Sequence, residues 1–517
     1  MILQRISRRT LHMLVLIAAA KLCGPSLAAA QALAPAPGFR EQVLVNIPAG
    51  TTLKTWTVAG DHVAWVETEN GKWTVMLDGK QQGGIYEGIE DITQSEDGAH
   101  LHFFGKLHGK WVHVLDGKES SPGYWSVTTV VLQPGGSSYA YTVCAEKKKC
   151  FLVVNDKTAS EQYERISAAQ YSPDGKHLAI IGWRNKENHA MVDGKQTGPD
   201  FGDYEPTEWG FDPSGRFYAA VMSDIYWTYL VGDKLCPRFD VISRMAFSPD
   251  GQHYAYGGAN VHPGFGKQKI DGAIVLDGQT GKMYDGSGMA GVWTAALGTV
   301  AIANIGVQKL YTDFHGVSNP AFGPDGKILY AVREGKGDVV VMNGDAAGPP
   351  VDELVSPIAF DNDGKHWAYI GTRNKSFLEI RDNQPGNAFS VGARVGAADW
   401  VVLSNDGSRL AYELVRGGTD YATQATTRAR RTVVLDGQPG KEYNASSISS
   451  ILFTSDNRHY VYSVARIEGQ GNLVVADGRE SNSYGDTQDL HLSADGTSAI
   501  FFASDSSRIL RVTTPLR

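Results

Sequence analysis

Aspartate recurs at one position of a repeated turn, and this is the first pattern in the sequence that could bind a metal ion. The turns read SPDG, GPDG, DNDG or SADG, and their aspartates are Asp174, Asp250, Asp325, Asp363 and Asp495. A hard cation takes several oxygen ligands that converge on one point. One carboxylate per turn, spread along the chain, does not provide such a set. Because Asp in a turn commonly hydrogen-bonds its own backbone, we expect these residues to stabilise turns, and we predict neither a metal nor a cofactor.

Two histidines, His100 and His102, lie on one side of an alternating run and could form part of a zinc site. A third ligand is not visible in the sequence. Histidine also recurs at the corresponding position after other turns, at His177, His253, His366 and His459. A recurrence of this kind predicts a packing position rather than a metal site.

The sequence lacks the motifs of nucleophilic catalysis and of phosphate binding. No G-x-S-x-G nucleophile elbow occurs. The stretches GGANVHPGFG and DGSGMAG lack the lysine and the strand–helix context of phosphate-binding loops. The net charge of −8 does not indicate a basic surface. We therefore predict that the chain does not bind nucleic acid.

The turns belong to a repeat that extends along most of the chain. The stretch FSPDGQHYAYGG begins at Phe247, and copies begin at Tyr171, Phe322, Phe360, Leu403, Phe453 and Leu492. Proline and glycine suit the backbone angles of the turn, and the alternating residues after it predict a half-buried strand. A second turn follows, as in AIVLDG, which ends at Gly278. Each unit of about 40 residues is therefore predicted to be a four-stranded antiparallel meander.

Units of this length and strand content are typical of the blades of a β-propeller, so we predict an all-β fold. The first strands of twelve units begin near Trp56, Ile89, Thr128, Ser167, Glu208, Arg244, Val292, Asn319, Pro357, Trp400, Ser450 and Gln488. Because single propellers have about four to eight blades, we expect two six-bladed rings, over residues 41–286 and 287–517. A division into seven and five blades, or one large ring, stays open.

One predicted strand lies outside the unit pattern. This is the run QVLVNI, from Gln42 to Ile47. The last unit ends in ILRVTTPLR and has no clear fourth strand. We therefore expect these two segments to pair and to complete a ring.

The motifs SPDGKHLA, SPDGQHYAY and GPDGKILYAV resemble the TolB-type, WD40-like propeller repeat. They also resemble the propeller that precedes the hydrolase domain of prolyl oligopeptidase-type peptidases. The resemblance covers about Trp56 to Val512, and it is specific for fold but weak for function. We expect no separate α/β domain before the repeats, such as TolB has, and no hydrolase domain after them.

The first thirty residues have the layout of a secretory signal peptide. A basic start precedes an apolar run from Leu11 to Ala20, and small residues follow at Ala28 to Ala30. The pair Arg8 and Arg9 also resembles a twin-arginine export signal. We predict that residues 1–30 are cleaved, that 31–40 form a linker, and that the protein is periplasmic or secreted. No other segment is predicted to cross a membrane.

Two cysteines flank a short loop between predicted strands. Cys144 and Cys150 enclose the sequence AEKKK. Two strands joined by so short a loop place these side chains nearly opposite each other, and export exposes them to an oxidising compartment. We therefore predict a Cys144–Cys150 disulfide, with Cys236 left as a half-buried thiol.

Long loops over residues 257–271 and 415–431 join the second and third strands of their units. In propellers, loops of this class share one face with the connections between blades, and the SPDG and LDG turns lie on the opposite face. Binding residues commonly lie on variable loops of a rigid scaffold. We predict a partner-binding surface of aromatic, arginine and histidine residues in or beside these connections: Trp183, Arg184, Tyr226, Trp227, His262, Phe265, Arg373, Arg416 and Tyr421.

A regular array without a catalytic motif favours an exported, non-enzymatic scaffold that binds protein, or glycan, partners of the cell envelope. The alternative is a propeller enzyme, a lyase or hydrolase, with its site in the central funnel. Converging acid, histidine and arginine side chains with perturbed pKa values would favour the enzyme. A shallow aromatic surface would favour the scaffold.

Overall fold

The computed structural model describes residues 34–120, 123–202, 204–262, 269–285, 319–334, 337–374, 376–389, 395–420, 425–466 and 471–516. Within these stretches the chain forms 49 β-strands and no helix, which confirms the predicted all-β class. None of the described residues forms a helix that could span a membrane. Residues Ala36–Arg517 make one compact unit.

The strands form eleven antiparallel sheets, which we number as blades 1 to 11 in chain order. In blades 2 to 11 the first strand, or pair of short strands, precedes the SPDG-type turn, and in blade 1 it precedes the tight turn at Gly60–Asp61. These first strands are β2 (Thr52–Ala59), β6 (Ile89–Gln94), β10 and β11 (Ser126–Val127, Val131–Leu132), β15 and β16 (Arg165–Ile166, Gln170–Tyr171), β20 (Trp209–Phe211), β24 and β25 (Val241–Ile242, Ala246–Phe247), β30 (Ala321–Phe322), β34 and β35 (Glu353–Leu354, Ala359–Phe360), β39 (Val395–Leu403), β43 (Ala445–Phe453) and β47 (Asp486–Leu492).

The second strands carry the alternating run that follows the turn, and they are among the most buried strands of the blades. They are β3 (His62–Glu69), β7 (Leu101–Leu107), β12 (Tyr139–Glu146), β17 (Leu178–Arg184), β21 (Phe217–Ser223), β26 (Tyr254–His262), β31 (Ile328–Glu334), β36 (Trp367–Arg373), β40 (Leu410–Asp420), β44 (Tyr460–Arg466) and β48 (Ser498–Ser504).

The third strands are rich in apolar residues, and in blades 1 to 10 they end at the LDG-type turn. They are β4 (Lys72–Leu77), β8 (Lys110–Leu115), β13 (Lys149–Val154), β18 (Glu187–Val192), β22 (Tyr226–Val231), β27 (Lys269–Leu276), β32 (Gly337–Met342), β37 (Ser376–Arg381), β41 (Ala425–Leu435), β45 (Asn472–Ala476) and β49 (Arg508–Pro515).

The fourth strands lie at the outer edge of each blade, and most of them are only two residues long. They are β5 (Lys80–Tyr86), β9 (Lys118–Glu119), β14 (Lys157–Thr158), β19 (Lys195–Gln196), β23 (Lys234–Leu235), β28 (Gln279–Thr280), β33 (Asp345–Ala346), β38 (Gln384–Phe389), β42 (Gln438–Pro439), β46 (Arg479–Glu480) and β1 (Arg40–Asn46). The additional strand β29 (Tyr284–Asp285) also pairs with β27.

The LDG turns have the geometry that their sequence predicts. In blade 6, Asp277 has φ +50° and Gly278 has φ +79°. Two successive positive φ values define the type I′ turn, which matches the twist of the flanking strands and favours Asp-Gly. The two-turn meander inferred from the sequence is therefore confirmed.

Successive blades pack face to face through clusters of buried apolar side chains, and one cluster lies at each of eleven interfaces. Between blades 6 and 7, Ala255, Ile274 and Tyr284 pack against Tyr330 and Val332. In a six-bladed ring, blade 6 would instead pack against blade 1. The described blades before and after the division predicted near residue 286 are therefore in contact with each other.

The ring closes between blades 1 and 11. Trp56 and Trp65 of blade 1 pack against Phe502 and Ile509 of blade 11. These contacts favour a single ring of eleven described blades over the two six-bladed rings expected from the sequence. Eleven of the twelve predicted units are these blades, and the seventh, which begins near Val292, lies outside the described residues.

The strand outside the unit pattern completes the last blade, as predicted. Strand β1 pairs antiparallel with β49, and Arg40 faces Thr513. Phe39 joins the apolar cluster of blades 10 and 11. Blade 11 thus takes three strands from one end of the described chain and its fourth from the other.

Cys144 and Cys150 form a disulfide bond between the second and third strands of blade 3. The two residues face each other directly in the β12–β13 ladder. Cys236 is a free thiol and is buried rather than half-buried. The disulfide closes a short hairpin at the end of the blade that carries the strand 2–3 connection.

Candidate binding face

The antiparallel order of each blade gives it two different ends. The SPDG-type and LDG-type turns lie at one end, which we call the turn face. The strand 2–3 connections and the connections between blades lie at the other end, which we call the loop face. The predicted binding residues that the structure describes are all near the loop face.

Polar groups of the turn face bond to one another, and blade 4 shows the arrangement. The Ser172 hydroxyl donates to Asp174 at 2.6 Å and accepts from the backbone N–H of His177 at 2.9 Å. His177 Nδ1 lies 2.7 Å from Asp193, which also accepts from the N–H of Leu178. The same histidine–aspartate pair occurs as His62–Asp78, His100–Asp116, His253–Asp277, His366–Asp382 and His459–Asp477.

These contacts shift the pKa values of the aspartates and histidines on the turn face. Hydrogen bonds from the serine two residues earlier lower the pKa of Asp174, Asp250 and Asp495. The hydrogen bond to aspartate raises the pKa of the histidine in four pairs, at His62, His100, His253 and His366. The recurring aspartates and histidines are therefore structural groups whose bonding capacity is largely used within their own blade.

The structure does not support the hypothesis that His100 and His102 bind a metal ion together, because His102 is part of a buried network. It is buried between blades 2 and 3, where its Nδ1 lies 3.2 Å from His113 Nε2. His113 Nδ1 donates to Asp156 at 2.9 Å, and Asp156 also accepts from the Tyr141 hydroxyl at 2.7 Å. Burial lowers the pKa of His102 to about 4. This network is an internal polar core rather than a site open to ligands.

On the loop face, the predicted residues Trp183 and Arg184 are the last two residues of β17. The guanidinium of Arg165 lies 4.3 Å from the ring centre of Trp183 and 3.2 Å from Glu205. Arg184 pairs with Glu161 at 2.5 Å. The side chains of Trp183 and Arg184 are both half-buried, so each is partly packed into blade 4 and partly exposed on its surface.

The next blade exposes more apolar surface. Tyr226 is 38% exposed, and Ile225 beside it in the same hairpin is 73% exposed. Trp227 is half-buried and bridges to Phe239. Tyr204, in the connection between blades 4 and 5, is 49% exposed. Large apolar side chains exposed in this way are candidates for contact with a partner.

Hydrogen bonds hold the loops that carry these residues to their own or neighbouring blades. Asn188 of blade 4 donates to the carbonyl of Tyr204, whose loop also bonds to blade 5 through Gly202 and Met222. Trp125 is 51% exposed in the connection into blade 3, and its N–H donates to Cys144. We name Trp125, Tyr204, Ile225 and Tyr226 the aromatic patch.

Three members of the patch, Trp125, Tyr204 and Ile225, were missed by the sequence prediction. Trp125 and Tyr204 lie in connections between blades, which have no repeated pattern to indicate which side chains face solvent. Ile225 lies in a two-residue turn beside Tyr226. Its position in a turn was the signal in the sequence that could have identified it as exposed.

The other predicted residues lie elsewhere on the ring. His262 bonds to Asp271 of its own hairpin in blade 6 at 2.8 Å, and Arg373 of blade 8 donates to the carbonyl of Pro350. Arg416 lies in β40 of blade 9. Phe265 and Tyr421 lie outside the described residues. The predicted residues that the structure describes therefore lie on blades 4, 5, 6, 8 and 9 of the ring.

Three acidic residues with raised pKa values lie in or beside first strands, where an enzyme with its site in the central funnel would place them, and a fourth, Glu379, lies in the third strand of blade 8. Burial raises the pKa of Glu90, Asp91 and Glu208. Asp91 accepts from the N–H of Val130, and Glu208 accepts from the Tyr229 hydroxyl. Glu90 and Asp91 belong to blade 2, and Asp91 bonds across to blade 3, whereas Glu208 bonds within blade 5.

A cleft opens at the loop face between blades 1 and 11, with a volume of about 450 Å³. Residues 51–56 of blade 1 form one wall, and residues 485–486 and 504–506 of blade 11 form the other. Asp505 forms a salt bridge with Arg508, with a nitrogen–oxygen distance of 2.8 Å. Burial opposes ionisation of Asp505, but hydrogen bonds from Ser507 and Arg508 keep its pKa below the usual range. The sequence analysis did not select these residues, because the two walls are more than 400 positions apart in the chain.

No family model matches the sequence, and no curated protein matches it. Three solved structures are similar at low identity. A eukaryotic initiation factor is 10% identical with a TM-score of 0.37, over 74% of this chain and 96% of that chain. The Dos1 propeller is 11% identical with a TM-score of 0.31, over 68% and 92%. The tricorn protease is 11% identical with a TM-score of 0.28, over 88% and 55%.

Proposed function

We propose that this protein is an exported β-propeller scaffold that binds a protein partner of the cell envelope through the loop face of blades 3 to 5. The aromatic patch carries this proposal, because tyrosine and tryptophan are enriched among the residues that dominate binding energy. The turn face offers a weaker surface, since its recurring polar groups are already bonded within their blades. The TolB-type ancestry of the repeat is part of the same proposal.

Export rests on two independent features. The first thirty residues have the basic, apolar and small-residue order of a signal peptide. The Cys144–Cys150 disulfide fits an oxidising compartment. N-terminal sequencing of the native protein tests this part of the proposal: a mature end near residue 31 supports it, and an intact Met1 contradicts it.

The binding surface is tested with two double variants of equal charge change. Trp125→Glu with Ile225→Glu adds two negative charges to the aromatic patch. Thr158→Glu with Gln279→Glu adds two to exposed positions beside LDG-type turns. A partner is first captured from native envelope and identified, and its affinity for each purified variant is then measured.

We expect the patch variant to bind about tenfold more weakly or worse, because each truncated anchor can cost 2 kcal/mol or more. The turn-face variant should bind like the parent chain. Equal affinity of the patch variant, with weak binding of the turn-face variant, would place the partner on the other face and overturn the proposal.

A further inference from the structure

The strand 2–3 hairpin of blade 3 ends in a run of lysines on the loop face. Lys147, Lys148 and Lys149 follow one another at its tip, and all three residues are exposed. Glu146 is the acidic residue of the same tip. The tip is therefore locally basic, although the whole chain has a net charge of −8. A local charge of this kind attracts a partner region of the opposite sign.

The lysine charges are available to a partner. Lys148 Nζ lies 2.9 Å from Glu164, and Lys149 Nζ lies 2.8 Å from Glu146. No ion pair joins Lys147 to any residue that the structure describes. Exposed pairs contribute little to stability, so the two that exist can open when a carboxylate of another molecule approaches.

The disulfide bond fixes the base of this hairpin. Cys144 and Cys150 are bonded and face each other on β12 and β13, and Cys150 directly follows Lys149. The ends of the lysine loop are therefore held at a fixed separation. Because the loop has fewer conformations to lose, binding through its lysines costs less entropy than binding through a free loop.

An exposed ring of the aromatic patch lies beside the lysines. Trp125 donates its backbone N–H to Cys144 at 2.8 Å, and the next residue, Ser126, pairs with Cys144 in the β10–β12 ladder. Cys144 in turn faces Cys150, the neighbour of Lys149. Adjacent strands are about 4.8 Å apart, so the backbones of Trp125 and Lys149 are roughly 10 Å apart. Trp125 is 51% exposed, so a single short segment can contact both the ring and the lysines.

We infer that the partner presents an acidic segment to this tip: its carboxylates pair with Lys147 to Lys149, and one large apolar side chain beside them packs on Trp125. The inference rests on the proposed function, because it names the partner's chemistry at part of the aromatic patch. A purely apolar segment would leave the lysines without counter-charges. Nucleic acid binds through many phosphates, which a single hairpin tip does not match and which Glu146 and Glu164 would repel.

A selection with random peptides tests the partner's chemistry. Peptides of about twelve residues, displayed on phage, are selected against the full chain. We expect enrichment of sequences with several acidic residues around one large apolar residue. The affinity of one such synthetic peptide should fall about tenfold between about 50 and 500 mM NaCl, because salt screens pairs of exposed charges. Enrichment of neutral or basic peptides only, or of none, would overturn the inference, as would tighter binding of single-stranded DNA or of vesicles that contain phosphatidylserine.

Two double variants of equal charge change locate the binding of this peptide. Lys147→Glu with Lys149→Glu should weaken it about tenfold, because each change replaces an attraction by a repulsion. Lys157→Glu with Lys195→Glu, at exposed positions of the turn face, should bind the peptide like the parent chain. Trp125→Ser should also weaken binding about tenfold. Equal losses in the two charge variants would reveal an effect of net charge alone and would contradict the inference.

The outcomes separate this inference from the proposed function. An envelope partner that is lost in the Trp125→Glu, Ile225→Glu variant, but is bound fully by the Lys147→Glu, Lys149→Glu variant and is not displaced by the acidic peptide, would leave the proposed surface standing and refute the acidic segment. A peptide that binds through Lys147 and Trp125, when the envelope partner does not need the aromatic patch, would support the inference and refute the proposed function.

Discussion

At the scale of residues, one histidine–aspartate pair recurs on the turn face. Each pair joins the residue after the first turn to the aspartate of the second turn in the same blade, as His253 Nδ1 does with Asp277 at 2.7 Å. The aspartate also holds the N–H of Tyr254. The pair therefore fixes the two turns of a blade to each other, and its repetition explains why the motif is so regular in the sequence.

These pairs make stability depend on pH. The pKa of the histidine is raised at His62, His100, His253 and His366, so their stabilisation is complete below the unfolded pKa of about 6.5. It is lost as the pH rises through the folded pKa, because the histidines then become neutral. We expect the free energy of unfolding to fall from below pH 6.5 toward pH 8, and the fall to be small because the pairs are exposed.

Denaturant titrations at several pH values measure this effect. The fourfold change of these histidines to Asn should flatten the pH dependence, since Asn does not titrate in this range. His108→Asn is the control, because His108 lies outside the pairs, in a strand 2–3 turn of blade 2. A fourfold variant with the parent's pH dependence would show that other groups cause it.

At the scale of elements, a side chain in the connection before a blade wedges against a glycine of that blade's second strand. Phe239 lies against Gly258, where an added Cβ would come within 2.3 Å of the phenyl ring. Tyr163 at Gly182 and Tyr86 at Gly105 repeat the arrangement. At these three positions the glycine therefore permits an aromatic side chain to pack closely onto the second strand of the blade.

The close contact of Phe239 with Gly258 predicts that a single methyl group added at Gly258 lowers the stability of the protein. Gly258→Ala should destabilise the protein by about 1–3 kcal/mol, because the ring of Phe239 must move out of a packed interface. Adding Phe239→Leu should recover part of that loss. Chemical denaturation of the four members of this cycle measures the coupling, and strictly additive effects would refute a contact between the two side chains.

The blade 3 disulfide makes a second prediction at this scale. The two cysteines are six positions apart, so reduction frees only a short loop. Replacement of both by serine should cost at most about 2–4 kcal/mol, since the stabilisation grows with the length of the closed loop. Denaturation of the variant measures the loss, and mass spectrometry of non-reduced peptides checks the bond. A larger loss would mean that the bond also supports the blade interface.

At the scale of the whole molecule, the ring depends on one strand from the N-terminal part of the chain. Strand β1 pairs along β49, and Glu41 accepts from the Tyr484 hydroxyl at 2.8 Å. Phe39 is 4% exposed within the cluster of blades 10 and 11. The ring is therefore closed within blade 11, where β1 pairs with β49.

Two truncations test the closure. A chain that starts at residue 34 retains β1 and should be as stable as the chain that starts at residue 31. A chain that starts at residue 48 should lose at least about 3–5 kcal/mol, the usual cost of removing one buried phenylalanine, and should expose the edge of β49. Thermal denaturation and size-exclusion chromatography measure both effects. Equal stability of the two truncated chains would contradict closure by β1.

The repeat predicted the blades because each depends on local turn chemistry, such as the paired positive φ values of Asp277 and Gly278. The number of blades in the ring could not be predicted in this way. Contacts such as Tyr284 on Tyr330 involve successive blades and look the same in a ring of any size. The aromatic patch and the cleft were missed for a related reason: Trp125 lies in an irregular connection, and Trp56 and Asp486 meet only after closure.

The pairing of β1 with β49 also has a consequence for how the chain folds. Arg40 and Thr513 are 473 residues apart, whereas neighbouring blades join segments roughly 40 residues apart. Loop-closure entropy rises only with the logarithm of length, so this last contact costs about 2 kcal/mol more than an ordinary blade contact. That penalty is modest, but the contact cannot form before the C-terminal blade exists. Until then the first and last blades each keep an uncovered apolar face, so the open arc is the state most exposed to aggregation and to proteases.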